Sequence, residues 1–321
     1  MRRFIAARFL QAAVVVVIVT MIAFLLLRLA PGDPFSYDDP GITPQVRARW
    51  RAAFGYDKPV AEQFVKYFSS AARGQFGYSI PLHRPVADVI GEALPRSLAL
   101  AAVSLVFAII IGVALGTWAA TKPRSPTDRA ITLVSVFIYS IPDFWLALLI
   151  QMTLGFGLRL FPISDVSDPM ISDYGSAGEI FMDRVRHMAL PALSLTLLIA
   201  VVLARFQRAA LLDVLPSDFL RTARAKGAGE TRVIVHHALR NALTPTITML
   251  GVIIPSVLGG IFFIEYVFNW HGIGWLAVTS VQALDYDVAT ACVIIAGVLV
   301  AAGSFAADVL AALTDPRIRN A

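Results

Sequence analysis

RTARAKGAGETRVIVHHALRNALTP, residues 221–245, is the most basic stretch of a 321-residue chain that is otherwise oily. It sets Arg221, Arg224, Lys226, Arg232 and Arg240, with the adjacent His236 and His237, between two apolar runs. Across the chain, hydrophobic residues make up 57%, charged residues 15%, and the mean hydropathy is +0.71. Soluble globular domains average about 45–50% and about 25%. That balance excludes a soluble globular domain and predicts an integral membrane protein, with the basic stretch as a loop between two spans.

Working outward from it, apolar windows long enough to cross a hydrocarbon core of about 30 Å as helices fall at residues 9–29, 97–120, 130–157, 189–206, 246–266 and 288–313. The first is too long for a signal-peptide core and has no A-x-A site after it, so it reads as a retained span. The single cysteine, Cys292, lies in the sixth, which rules out an intrachain disulfide and a thiolate metal site. Neither long loop alternates as strands do, so the expected fold is all-α, with six transmembrane helices. The expected division is a tip and first span (1–30), an extramembrane helical segment (31–95), a five-helix core (96–313) holding a coupling segment (207–245), and a tail (314–321). The second long loop, 161–188, is acidic and rich in Gly, Ser and Asp, and reads as irregular.

Six spans put both termini on one side. The segments sharing that side carry fifteen Lys/Arg against six acids, and the opposite set twelve against fifteen. The positive-inside rule therefore places the termini and the basic stretch in the cytoplasm.

Split at Gly227-Ala228-Gly229, the stretch becomes two short helices. Ser217 reads as the N-cap of the first, Asp218 suits its positive end, and Gly227 can take the left-handed conformation that ends it. Phe219, Thr222 and Ala223 share one face of this helix, rimmed by Arg221 and Arg224. The second helix starts near Glu230, with Val235, Ala238, Leu239, Ala242 and Leu243 as an apolar stripe. Arg232, His236 and Arg240 form the opposite stripe, so this helix is expected to lie along the inner membrane surface. Attraction to anionic lipid alone accounts for the charge, but not for a capped break or a small-residue patch, which suit insertion into a groove on another protein. Nucleic-acid binding lacks interleaved aromatics, and adjacent helical histidines do not face one another as metal ligands would.

Here the sequence resembles a known family. RTARAKG followed by HHALRNALTP is similar to the cytoplasmic EAA loop of ABC-importer permeases, with Arg221-Thr222-Ala223 at E-A-A and Gly227 at the glycine. Arg240 stands where the general pattern has proline, and the proline comes later as Pro245; that departure resembles the dipeptide/oligopeptide/nickel branch. RLAPGDPF (28–35), FGYDKPVAEQFVKYF (54–68), GQFGYSI (74–80), SIPDFWLALLI (140–150), EYVFNWHGIGWL (265–276) and TDPRIR (314–319) agree with the same branch. The resemblance implies a permease paired with a second, homologous permease in a bacterial inner membrane. It also implies two ATP-binding subunits that carry the ATP and magnesium, and an extracytoplasmic substrate-binding protein. It makes Phe219, Arg221, Thr222, Ala223, Arg224, Ala225, Lys226 and Gly227 the expected ATPase-docking surface. The solute is expected to be a di- or oligopeptide, with nickel chelates, glutathione and haem as alternatives for the same machinery.

No G-x-x-x-x-G-K-[ST] loop occurs, so no P-loop ATPase chemistry and no cofactor is expected on this chain. GIGWLA (272–277) mimics a dinucleotide fingerprint but follows no strand. Asp143 is expected about 20 Å into the third span, where Pro142 kinks the helix, and an intramembrane acid is a functional-site candidate by default. Pro142, Asp143, Gln151 and Glu265 are the candidate pathway residues. Gly251, Pro255, Gly259 and Gly260 make the fifth span the candidate gate. A secondary transporter would need no capped docking element. An intramembrane aspartyl protease using Asp143 and Asp308 would need a G-x-G-D context that is absent.

Overall fold

The computed structural model describes residues 2–29, 43–53 and 55–314. Most of the RLAPGDPF and TDPRIR stretches and of the 314–321 tail lie outside them. The elements are α1 (Arg2–Leu29), α2 (Pro44–Ala53), α3 (Val60–Ala71), β1 (Tyr78–Ser79), β2 (Arg84–Pro85), α4 (Val86–Thr121), α5 (Pro126–Ser140), α6 (Asp143–Ile150), a π-helical run (Gln151–Gly157), α7 (Pro169–Tyr174), α8 (Ala177–Val214), α9 (Asp218–Ala225), α10 (Glu230–Arg232), a π-helical turn (Val233–Ala238), α11 (Leu239–Val267), α12 (Ile273–Gln282) and α13 (Tyr286–Thr314). The all-α expectation holds. Among the described residues only the two-residue antiparallel pair β1–β2 departs from it, with Tyr78 opposite Pro85.

Four helices, containing residues 5–29, 86–121, 177–214 and 286–306, are long and apolar enough to span a membrane, and the number is six when each of two bent pairs is counted as one span. The third span is one of these pairs. Instead of a helix kinked at Pro142, the chain breaks, and the two halves meet at 108°. Ile141 is extended, Pro142 caps the second half, and Asp143 is its first residue. Proline cannot donate to the turn before it and pushes its predecessor into extended geometry, so an Ile-Pro step ends one helix and starts the next.

Two spans are longer than expected. α4 begins at Val86 and carries Pro95 inside it, so the boundary expected at 95/96 falls within a continuous helix. α8 begins at Ala177, inside the loop expected to be irregular. The cause is a capping box: the Ser176 hydroxyl accepts from the Glu179 N–H, and the Glu179 carboxylate accepts from the Ser176 N–H at 2.8 Å, satisfying two N–H groups left open at a helix start.

α4 and α8 lie side by side and parallel. Thr196 reaches the Ser104 carbonyl at 3.3 Å, Leu203 meets Gly112, and Gln207 meets Gly116, both numbers rising together. A Cβ at Gly112 would lie 2.7 Å from Leu203 Cβ and 2.9 Å from the Ala200 carbonyl oxygen, so only glycine permits this approach, the small-residue packing of membrane helices. Around the pair lies the main core of Leu100, Leu146, Leu190, Ile199, Leu203, Ile264, Phe268 and Trp270. At the end of the molecule away from α9, α1 is held to α3 by Phe24, whose ring meets Phe64 at 5.5 Å and Tyr67 at 5.8 Å. There Arg28 stacks on Tyr56 at 3.7 Å and stands 3.8 Å from Asp287 of α13.

The basic segment and the polar residues of the spans

Directly after α8, Ser217 opens α9. Its hydroxyl donates back to the Val214 carbonyl at 2.6 Å and makes no cap bond, so the expected side-chain cap is replaced by a turn on the preceding helix. The other end is a complete Schellman motif. Gly227 takes φ +82°, its N–H donates to the Arg224 carbonyl at 2.9 Å, and the Ala228 N–H donates to the Ala223 carbonyl at 3.2 Å. Ala223 and Ala228, the two ends of its longer bond, both pack against the buried cluster beneath.

An eight-residue helix does not hold itself. Leu220, 0% exposed, pins α9 into a cluster with Ala120 of α4, Leu211 of α8, Val233 and Ala238 of the π-helical turn, and Ala242 of α11. This corrects one residue of the expected face: Ala223 lies half-buried on the inner side with Leu220, the anchor of the helix. Phe219 (45% exposed), Arg221, Thr222, Arg224, Ala225, Lys226 and Gly227 are left on the outer surface. Exposed ion pairs from Arg221 to Asp218 at 3.3 Å and from Arg224 to Glu230 at 2.9 Å dress its edges.

Beyond Gly229 no separate surface helix forms. α10, the π-helical turn and α11 make one rod, so the expectation of a helix lying flat on the membrane is corrected. The π-helical turn also moves the stripe. Val233 and Ala238, five residues apart, are both buried, whereas Val235, expected in the apolar stripe, is 52% exposed. One i to i+5 turn rotates every later residue relative to a 3.6 period. Arg232, His236 and Arg240 are exposed, as the polar stripe requires. The rod bends by 53° between Val257 and Gly259, just past Pro255 and within the stretch expected to act as a gate.

Two contacts that pattern reasoning missed fix the base of this segment. Arg208 near the end of α8 grips Asp128 of α5 with Nε and Nη2 at 2.6 and 2.8 Å, and the Arg124 N–H adds a third bond at 2.8 Å. Thr246 donates to Gln207 at 2.7 Å, tying α11 to α8. The only signal in the sequence was an acid and a glutamine beside apolar runs.

The candidate pathway residues are not brought together into one site. Glu265 is 0% exposed. Its carboxylate accepts from the Ser97 hydroxyl at 2.6 Å and from the N–H groups of Gly274 and Trp275 at 2.7 and 3.2 Å, while Ser97 accepts from the Ile273 N–H at 2.8 Å. Together they cap α12, whose own N-cap is a glycine without a side chain, and an anion there suits the helix's positive end. The glycines of GIGWLA serve this cap, since a Cβ on Gly274 would lie 2.5 Å from Phe262 Cα. Gln151 donates to the carbonyls of Ile163 at 3.0 Å and Val267 at 3.1 Å, joining the third span to the end of α11. Asp143 is exposed, next to the 108° break and one residue before Phe144, whose ring lies 6.4 Å from Phe263 beyond the bend of α11. Asp308 has no described side chain. Among the described residues no three His, Cys, Asp or Glu gather as metal ligands.

Apolar helices long enough to span a membrane, two further bent pairs and a parallel, glycine-packed helix pair define a helical integral membrane protein. Two family models cover nearly the whole chain: the N-terminal membrane component of binding-protein-dependent transport systems over residues 1–101, and the inner membrane component over residues 112–320. The chain belongs to this family, the inner membrane components of binding-protein-dependent transport systems, which are permease subunits and not themselves catalytic. It is 37% identical to the oligopeptide transport system permease protein AppB of Bacillus subtilis (strain 168) over 320 residues, 99% of each chain. It is 34% identical to the di/tripeptide transport system permease protein DppB of Pseudomonas aeruginosa (strain UCBPP-PA14), covering 94% of each, and 36% identical to the glutathione transport system permease protein GsiC of Escherichia coli (strain K12), covering 99% of each.

Proposed function

We propose that this chain is one of two homologous permease subunits of an ATP-driven importer of di- and oligopeptides. In this reading both termini and α9 are cytoplasmic, two ATP-binding subunits hold the ATP and magnesium, and an extracytoplasmic binding protein delivers the solute. The observation that carries it is the build of α9. An outer face of Phe219, Arg221, Thr222, Ala225 and Lys226 stands over an anchor, Leu220, that touches elements from both sides of the pathway half. A groove on an ATPase that grips this face moves α8 and α11 together, because Gln207–Thr246 and Arg208–Asp128 join them and α5 at that level. Packed elements move between discrete arrangements, and the breaks at residues 141–142 and 258 are where the spans bend.

Peptide as the solute rests on the relatives, named for oligopeptides, di/tripeptides and glutathione, itself a tripeptide. Asp143, exposed beside the break of the third span, is the residue this reading assigns to attract a peptide's amino group. Membrane vesicles holding this chain with its co-expressed partners test both parts. Peptide uptake should require ATP and the binding protein, and Asp143→Asn should weaken uptake of free-amino peptides more than of blocked ones. Uptake by this chain alone on an ion gradient would refute the importer; equal effects on both peptides would remove Asp143 from the solute's path.

A further inference from the structure

The segment between the third and fourth spans holds five acids, and four are already committed. Asp165 bonds Asn269 and Ser164, Asp168 caps α7, Glu179 closes the capping box of α8, and Asp183 accepts from the Asp168 N–H and faces His187 at 3.2 Å. Arg159 and Arg186 of the same segment are exposed, with no ion pair or side-chain hydrogen bond among the described residues. Both line one cavity of about 600 Å³, walled by Phe156, Leu160, Phe161 and Pro162. Arg159 is held there at φ 52°, a region that favours glycine, although Gly157 stands two residues away.

The level of this cavity is set by α8. Arg186 precedes the helix end at Val214 by 28 residues, roughly 42 Å at 1.5 Å per residue. A bilayer with its headgroup layers is about 40–45 Å thick, so with α9 at one headgroup layer, Arg186 stands at the other. Phe156 of the cavity wall is exposed, as are Leu158, Phe181 and Val185, close to the cavity residues in the chain, an apolar flank that suits lipid better than a water-borne peptide. Paired guanidinium groups match phosphate oxygens bidentately.

We propose that Arg159 and Arg186 bind the phosphate of an anionic phospholipid in the leaflet opposite α9, with the apolar rim of the cavity covering the start of its acyl chains. The test uses the full chain in nanodiscs of equal parts phosphatidylcholine and phosphatidylglycerol, with the lipids retained on release read by native mass spectrometry. The wild type should keep phosphatidylglycerol in preference. Arg159→Gln and Arg186→Gln should each lower its retention about fivefold, and the double variant should reach the phosphatidylcholine level, while Arg184→Gln, outside the cavity, changes nothing.

Unaltered preference in the double variant, or equal retention of both lipids by the wild type, overturns the proposal. Modification of the wild type by phenylglyoxal needs no variant. Phosphatidylglycerol vesicles should protect both arginines; protection by inorganic phosphate or by a free-carboxylate peptide, with none from the vesicles, assigns the site to those anions and overturns the lipid. Neither measurement uses ATP or a partner, so failure here leaves the importer reading standing.

Discussion

Truncating the α9 anchor, Leu220→Ala, should release α9 from the rest of the protein. The side chain has no exposed surface, and its neighbours Ala120, Ala238 and Ala242 are too small to move into the space it leaves. Leucine-to-alanine changes in cores cost about 2–5 kcal/mol, more where the site cannot collapse, so the upper part of that range, about 3–5 kcal/mol, applies. At 1.4 kcal/mol per factor of ten, that shifts the docked-to-undocked ratio of α9 by roughly a hundredfold to several thousandfold. An eight-residue helix freed of its anchor melts. Amide hydrogen exchange of the chain in nanodiscs reads this directly: the N–H groups of Thr222 to Lys226 should exchange faster by that factor, while those of the α4–α8 pair stay protected. Import should fall with it, and Leu220→Met, which conserves volume, should restore most of both. Wild-type protection of α9 in Leu220→Ala would falsify the claim that this one side chain seats the helix. Loss of the whole fold would show that the cluster supports more than α9.

Gly227→Ala forces a Cβ onto a residue at φ +82° and should cost about 1–2 kcal/mol, seen as weaker co-purification of the ATP-binding subunits; recovery equal to wild type speaks against the Schellman end. Glu265→Ala strands the N–H groups of Gly274 and Trp275 and should lower stability by at least about 2 kcal/mol, read as a lower melting temperature in detergent, with Glu265→Gln falling between; an unchanged melt would show that the cap is dispensable. His271, whose ring is tilted 50° against that of Trp275 at 4.3 Å, has its pKa pushed below the ordinary 6.5, first by burial and then by the Arg96 charge, with Asp165 opposing. The folded state therefore binds fewer protons than the unfolded one in that window. Stability should be full above pH 6.5 and fall as pH drops through the depressed pKa, and His271→Gln should flatten the melting-temperature slope there; an identical slope in the variant would assign it to another group.

The helical class and the glycine-ended short helix after the fourth span were legible because they depend on local quantities. A long apolar run specifies buried helix whatever lies beside it, though not whether that helix stays unbroken, and Gly227 announces a left-handed helix end by lacking a Cβ. The faces of the coupling helices were harder to read. Periodicity grouped Ala223 with Phe219 and Thr222, and its place beside Leu220 was decided by a pocket contributed from α4, α8, the π-helical turn and α11. The π-helical turn at Val233–Ala238 likewise escaped a reading that assumes 3.6 residues per turn, and Val235 moved to the surface as a result.

From its sequence alone this protein is a multi-span helical membrane protein with a basic, glycine-broken element between its fourth and fifth spans, because hydrophobic burial and backbone sterics act residue by residue. Only the tertiary structure decided that Glu265 caps a helix it does not belong to, that Arg208 closes on Asp128 eighty positions away, and that Gly112 and Gly116 let two parallel helices touch. Each of these joins groups far apart in the chain. A buried polar atom must find a partner, but nothing in the order of residues names which one until the helices have packed.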